Sequence, residues 1–122
     1  MAKKILVVDD DPTLIKVIRP FLESQGFMVA VAGDGEEGLT AVKKNRPNLI
    51  VLDIQMPRMN GYTFVFELKK IIDIKTCPII VLTAKEGMSE IFKVEGVKEY
   101  ICKPFKPEVL LTAIKKHVTS PT

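Results

Sequence analysis

Apolar and polar positions along the chain switch between two periods. Lys4–Val8 (KILVV) is a continuous apolar run of strand length. Asp11-Pro12 then offers a helix N-cap and a first-turn proline. Leu14, Val17, Ile18, Phe21 and Leu22 recur at helical spacing until Gly26 stops the helix. The alternation continues with a strand at Phe27–Val31 and a helix capped by Asp34 that runs to about Lys44. A strand at Asn48–Asp53 leads through the loop IQMPRMN to a helix from about Gly61 to Ile72. Pro78–Thr83 (PIIVLT) is a fourth strand. A short helical stretch follows near Met88–Glu95, then a fifth strand at Val97–Cys102 and a last helix opened by Pro107, with Leu110, Ala113 and Ile114 inward. Continuous apolar strands alternating with amphipathic helices predict an α/β fold, a parallel sheet covered on both faces. Right-handed crossovers make that sheet doubly wound.

Length and composition narrow the class. The 122 residues fit one domain, with a core from about Lys4 to Val118, and 47% are apolar. No run approaches the roughly 20 apolar residues of a membrane span. The N-terminal lysines precede an apolar run too short for a secretory signal, so a cytoplasmic location is expected. Cys77 and Cys102 form no CxxC pair and are read as small buried residues in a reducing compartment. A disulfide between them is not expected. Cys77 begins one strand and Cys102 ends its neighbour, an offset of about 16 Å at ~3.3 Å per residue, beyond the ~7 Å Cα limit.

The net charge of +3 comes largely from lysine pairs. Lys43–Lys44, Lys69–Lys70 and Lys115–Lys116 fall where helices should end, complementing the helix dipole. The sequence shows neither a contiguous basic run nor interleaved aromatics, so nucleic-acid binding by this chain alone is disfavoured. Helices antiparallel to the strands would gather these lysines at the edge opposite the strand C-termini. The single His117 is read as a dipole-compatible surface residue near the end of the last helix.

Ligands of open parallel sheets sit outside the carboxyl ends of the strands. The first strand ends in Asp9, Asp10 and Asp11, the third in Asp53, the fourth in Thr83, and the fifth in Lys103 followed by Pro104. Each has an ordinary reading alone: a cap, a turn residue, a strand end, a solvated lysine. Together they do not, because one helix needs one capping acceptor, and one lysine cannot balance three acids. Two unit charges 4 Å apart repel by about 4 kcal/mol at an effective dielectric near 20. A divalent cation with hard oxygen ligands, Mg²⁺ foremost, resolves that repulsion and often shares its shell with a phosphoryl oxygen. A carboxylate beside a metal and a lysine is also a competent phosphoryl acceptor.

The segments ILVVDDDP, LIVLDIQMPRMNGYTF, PIIVLTA and YICKPF, in this order over nearly the whole chain, resemble the receiver domains of two-component response regulators, the CheY-like family. The resemblance implies a flavodoxin-like (βα)5 sheet of order 2-1-3-4-5. It implies that Asp53 is the phosphoacceptor and that Asp10 and Asp53 ligate the metal directly. Asp9 would act mostly through water, with the backbone carbonyl of Gln55 as a further ligand. Thr83 and Lys103 would hold phosphoryl oxygens, Lys103–Pro104 would be a cis peptide, and Tyr100 would be a switch aromatic moving with Thr83. The implied partners are a sensor histidine kinase or phosphotransfer protein, and an output partner or homodimer through the fourth helix, fifth strand and last helix. One departure stands out. Twenty residues separate Thr83 from Lys103, slightly fewer than usual, and the segment before the last strand reads EGVKEY. The shape built from the fourth helix is therefore in question.

Other functions fit less well. An aspartate-nucleophile phosphatase usually carries a second acid where Gln55 stands. A flavodoxin-like cofactor carrier needs a Gly- or Ser-rich phosphate loop where this chain has DDDP. A pseudo-receiver usually lacks a key residue, and none is lacking here. The expectation is a signalling module whose chemistry is confined to its own phosphorylation and dephosphorylation.

Overall fold

The computed structural model describes residues 2–54, 61–83 and 96–118. Strands β1 (Lys4–Val8), β2 (Met28–Ala32), β3 (Leu49–Asp53), β4 (Ile79–Thr83) and β5 (Val97–Cys102) form one sheet. All its pairings are parallel, and the order is β2-β1-β3-β4-β5. Helices α1 (Pro12–Ser24), α2 (Gly35–Asn45), α3 (Gly61–Leu68) and α4 (Pro107–His117) connect or follow the strands. The expected helical stretch near Met88–Glu95 and the loop containing Gln55 lie outside the described residues.

The period of two along each strand sorts the core into two layers. Leu6, Val8, Ile50, Leu52, Ile79 and Val81 face Val42 of α2 and Phe64, Val65 and Leu68 of α3. Ile5, Val7, Leu49, Val51, Ile80 and Leu82 face Ile18 and Leu22 of α1 and Leu110, Ala113 and Ile114 of α4. Every residue of β3 and β4 is buried, which is why those strands read as unbroken apolar runs.

Local chemistry sets most boundaries. Asp11 Oδ1 accepts from the Thr13 N–H at 3.0 Å and caps α1. Gly26, at φ +96°, turns the chain out of that helix. Pro20 sits inside α1 on its exposed side and deletes one helical N–H, yet the helix runs on to Ser24. Asp34 Oδ1 caps α2 through the Glu37 N–H at 2.9 Å. The α2 helix ends on Arg46 in the left-handed region, φ 47°.

The structure corrects three expectations and adds one detail of strand register. The third helix stops at Leu68 rather than Ile72, because the N–H groups of Lys70 and Ile71 bond three residues back, to Glu67 and Leu68. Ile71 and Ile72 still pack on the core from that tightened turn, which kept the helical spacing going in the sequence. The β4–β5 pairing slips between Ile79 and Ile80, so that Val97 and Glu99 face consecutive residues and Lys98 is extra. Cys102 is exposed, not buried, because β5 is an edge strand, whereas Cys77 is buried and its thiol is pushed up to about 12 by desolvation. His117 is half-buried rather than a plain surface residue, its Nε2 lying 3.6 Å from Glu99 Oε2.

Both cysteines are free. A disulfide reagent applied to the folded protein at mild alkaline pH should therefore titrate one thiol, Cys102, and reach Cys77 only after denaturant is added. Two fast thiols in the native protein would contradict the burial of Cys77.

Gly38 marks a tight approach between α2, α3 and β1. A Cβ there would meet Phe64 Cε1 at 2.8 Å and Val8 Cγ2 at 3.2 Å. Gly38→Ala should lower stability by about 1–3 kcal/mol through overpacking, outweighing the gain of up to ~1 kcal/mol in helix propensity. Urea unfolding checks this, and the loss should shrink in a Phe64→Leu background.

Candidate functional site

The carboxyl ends of β1, β3, β4 and β5 converge on one edge of the sheet. Asp9 follows β1, and its N–H donates to Ala32 O at 3.0 Å, extending the ladder by one residue. Its side chain is fully buried. Oδ1 accepts from the Asp11 N–H at 2.9 Å, and Oδ2 accepts from Lys103 Nζ at 3.0 Å. Asp10, next along, is exposed. Asp53 is the last residue of β3 and Thr83 the last of β4, both buried.

Lys103 arrives from the far side of the sheet. Cys102 pairs with Thr83, and the Lys103 N–H donates to Thr83 O at 2.7 Å, which fixes where its side chain starts. The Lys103–Pro104 peptide bond is cis. The ammonium lies 3.0 Å from Asp9 and 3.5 Å from Asp53 Oδ2. Burial pulls the Lys103 pKa down, but the hydrogen bond and attraction of Asp9, then those of Asp53, outweigh it. The net value lies above the ordinary 10.5, so the site keeps its cation.

One ammonium does not neutralise the site. Carboxylate oxygens of Asp9, Asp10 and Asp53 all lie within 4.8 Å of one another. At that spacing each pair repels by about 3–4 kcal/mol at an effective dielectric near 20, less where Asp10 meets water. Three hard anionic oxygen donors, partly open to solvent on the Asp10 side, fit a small divalent cation such as Mg²⁺.

The other sequence candidates divide. Gln55 lies outside the described residues. Tyr100 is half-buried on β5, opposite Val81, and packs on the α2–α3 core layer. Strand alternation puts Thr83, two residues beyond Val81, on that same face. The sequence reading missed the backbone of Asp11, whose N–H orients Asp9; its only signal was the N-cap position. It also missed Glu99, which meets His117 and, at 3.7 Å, Lys116 across the β5–α4 edge.

A parallel 2-1-3-4-5 sheet with an acid cluster and a lysine at its carboxyl edge defines a flavodoxin-like receiver architecture. Residues 5–115 match the response regulator receiver domain family, and the chain belongs to that family, a signalling module of two-component phosphorelays. It is 40% identical over 117 residues, 94% of this chain and 50% of the relative, to the DNA-binding response regulator MtrA of Mycolicibacterium smegmatis. The chain thus spans about half the length of the curated relatives it matches. The chemotaxis protein CheY4 of Vibrio cholerae superposes with a TM-score of 0.87 at 31% identity, covering 98% of this chain and 100% of that one. The receiver domain of the sensor histidine kinase PA1611 from Pseudomonas aeruginosa, with a magnesium ion coordinated in its active-site cleft, superposes with a TM-score of 0.85. Its identity is 27%, over 98% of this chain and 100% of that one. No helix among the described residues is long and apolar enough to cross a membrane.

Relieving the repulsion should be visible without any phosphorylation. In chelator, Asp53→Asn should unfold at higher urea than the wild type, by about 1 kcal/mol after solvent screening. Added Mg²⁺ should stabilise the wild type by mass action and the variant much less. Equal Mg²⁺ responses would show that Asp53 is not part of the cation site.

Proposed function

We propose that Asp53 accepts a phosphoryl group from a phosphohistidine on a sensor kinase or phosphotransfer protein, and that the same site later hydrolyses the acyl phosphate. The observation that carries this reading is the meeting of Asp9, Asp10, Asp53 and Lys103 at the carboxyl edge, with the three acids within 4.8 Å. Residues 1–122 are read as a single receiver domain on the same grounds. In the transfer an Asp53 oxygen attacks phosphorus. The phosphorus–nitrogen bond breaks as the oxygen–phosphorus bond forms, and the imidazole departs with the electron pair. Lys103, already 3.5 Å from Asp53, pairs with a phosphoryl oxygen while Asp9 retains its hold on the ammonium. The Thr83 hydroxyl donates to a second phosphoryl oxygen. Asp9, Asp10, Asp53 and the Gln55 carbonyl would hold Mg²⁺, which when bound offsets the charge of the acids and of the incoming phosphoryl group.

The output step is proposed on the same basis. Movement of Thr83 toward the phosphoryl group frees space on the sheet face it shares with Tyr100, and the Tyr100 ring turns inward to fill it. The surface altered comprises β5, α4 and the segment between β4 and β5, where an output partner or a second copy would bind. That the MtrA relatives are DNA-binding regulators fits an output that sets the activity of a transcription factor.

Incubation with a small acyl phosphate and Mg²⁺ should add one phosphate by intact mass. Asp53→Asn should abolish it, and Lys103→Gln should slow it by about 10²-fold or more, the usual cost of losing one charge-stabilising group. Aromatic NMR signals of Tyr100 should shift on phosphorylation and stay still in Thr83→Ala. Full labelling of Asp53→Asn would remove the assignment. A phosphorylated protein with an unmoved Tyr100 would remove only the switch.

A further inference from the structure

The two edges of the sheet are finished differently. β5 carries Lys98 and Glu99, and its pairing with β4 slips between Ile79 and Ile80, features that discourage a further strand. β2 reads MVAVA, with no charge and no proline, and pairs with β1 in unbroken register along its whole length. Met28 donates its N–H to Lys3 O, and Ala32 O accepts from the Asp9 N–H. Backbone groups alternate in direction along a strand. Met28, Ala30 and Ala32 therefore bond to β1, while Val29 and Val31 turn their N–H and C=O away from it. Among the described residues no turn, loop or side chain bonds those outward groups. Met28 also leaves 54% of its surface exposed.

Helix α2 lies over β2 and β1 and leaves an open cleft beside Val31. The cleft carries Glu36 and Glu37 at one end, Thr40 and Ala41 in the middle, and Lys44 and Asn45 at the other. Glu37, Ala41 and Lys44, four and three residues apart, share one face of the helix. That face is acidic at its start, small at its centre and basic at its end. Rotated by half a turn about its centre, it sets its acids against a second copy's lysine and its lysine against that copy's acids. The cleft brings this centre beside Val31, next to the middle of the strand. The same axis, set at Ala30 perpendicular to the sheet, brings Val29 opposite Val31 of the second copy, and each such pair exchanges two N–H···O bonds. One two-fold operation thus matches backbone and charge together, the self-complementarity of an isologous interface.

We propose that a second copy of this chain binds at this edge. The two β2 strands pair antiparallel and join the five strands of each copy into one sheet. The two α2 helices lie antiparallel above it, Glu37 of each near Lys44 of the other. Met28 is covered where it comes opposite Ala32 of the second copy. The two-fold match selects this occupant over an unrelated strand, which would satisfy the backbone and leave Glu37 and Lys44 unmatched. The interface lies at the far edge of the sheet from β5, and it needs neither Mg²⁺ nor a phosphoryl group.

The test is sedimentation equilibrium of the 122-residue chain in chelator at up to about 1 mM, where association weaker than micromolar still shows. The wild type and Asp53→Asn should dimerise alike. Lys44→Glu and Glu37→Lys should each weaken self-association by about tenfold or more, since like charges then meet at both ends of the helix pair. Mixed in equal amounts, these two variants should dimerise again, because one supplies the acids and the other the lysines. Val31→Pro deletes an outward N–H and no bond to β1, and it should weaken the dimer with circular dichroism unchanged. Should Glu37→Lys fail to fold, through loss of the Gly33 N–H bond to Glu37, Glu36→Lys takes its place. A wild type monomeric throughout the range would overturn the proposal. So would a dimer indifferent to Lys44→Glu or to Val31→Pro, or a mixture of the charge variants that stays monomeric. A dimer formed only with acyl phosphate and Mg²⁺ would overturn it as well, and would belong to the β5–α4 surface.

Discussion

The Lys103 ammonium holds the carboxyl edge of this sheet together. It reaches Asp9, 94 residues earlier in the chain, at 3.0 Å and Asp53 at 3.5 Å, and so ties the first, third and fifth strands at one point. Asp9 is fully buried. A buried carboxylate stripped of its partner costs about 3–5 kcal/mol, so this contact constrains the whole edge. The tie is still incomplete. Asp10 and Asp53 bring further negative charge that the single ammonium does not balance. Among the described residues this edge is where acids outnumber the cation that meets them.

The sheet explains why the imbalance falls there. β3 and β4 are buried on both faces, so polar side chains have no place along them and collect where they end. The crossover helices run antiparallel to the strands, which turns their amino ends toward the acids. The caps Asp11 and Asp34 lie at this edge, and the Asp11 N–H reaches Asp9 directly. The same geometry sends the basic last turns of α2 and α4 to the other edge. One topological rule therefore separates an acidic, cation-seeking edge from a basic one.

Most of this was legible in the sequence because it rests on short-range pattern. Five apolar runs gave five strands, and residues at their ends, Asp9, Asp53, Thr83 and Lys103, gave the edge cluster. What was not legible depends on neighbours. Ile71 and Ile72 continue the spacing of α3, yet they pack from a tightened turn after it has ended. Cys102 looks like any small apolar strand residue, and only its place at the end of an edge strand exposes it. The extra Lys98 is a property of the β4–β5 pair, not of either strand. Arg46 occupies a left-handed position where a glycine would have announced the turn.

An edge strand, β5, carries the cation of the site. β5 has one neighbour, an irregular pairing with it, and an outer flank shared with α4 through Glu99, Lys116 and His117. Elements with few buried contacts and open edges are the first to move when local energies change. Lys103 is joined to β4 through its own N–H on Thr83 O, and to Asp9 and Asp53 through its ammonium. A change of charge at Asp53 alters the forces on Lys103 at once. The strand leading into it, with Tyr100 three residues upstream, can respond at less cost than β3 or β4, whose residues are all buried. The buried centre of the sheet fixes Asp53, and the edge strand supplies the counter-ion.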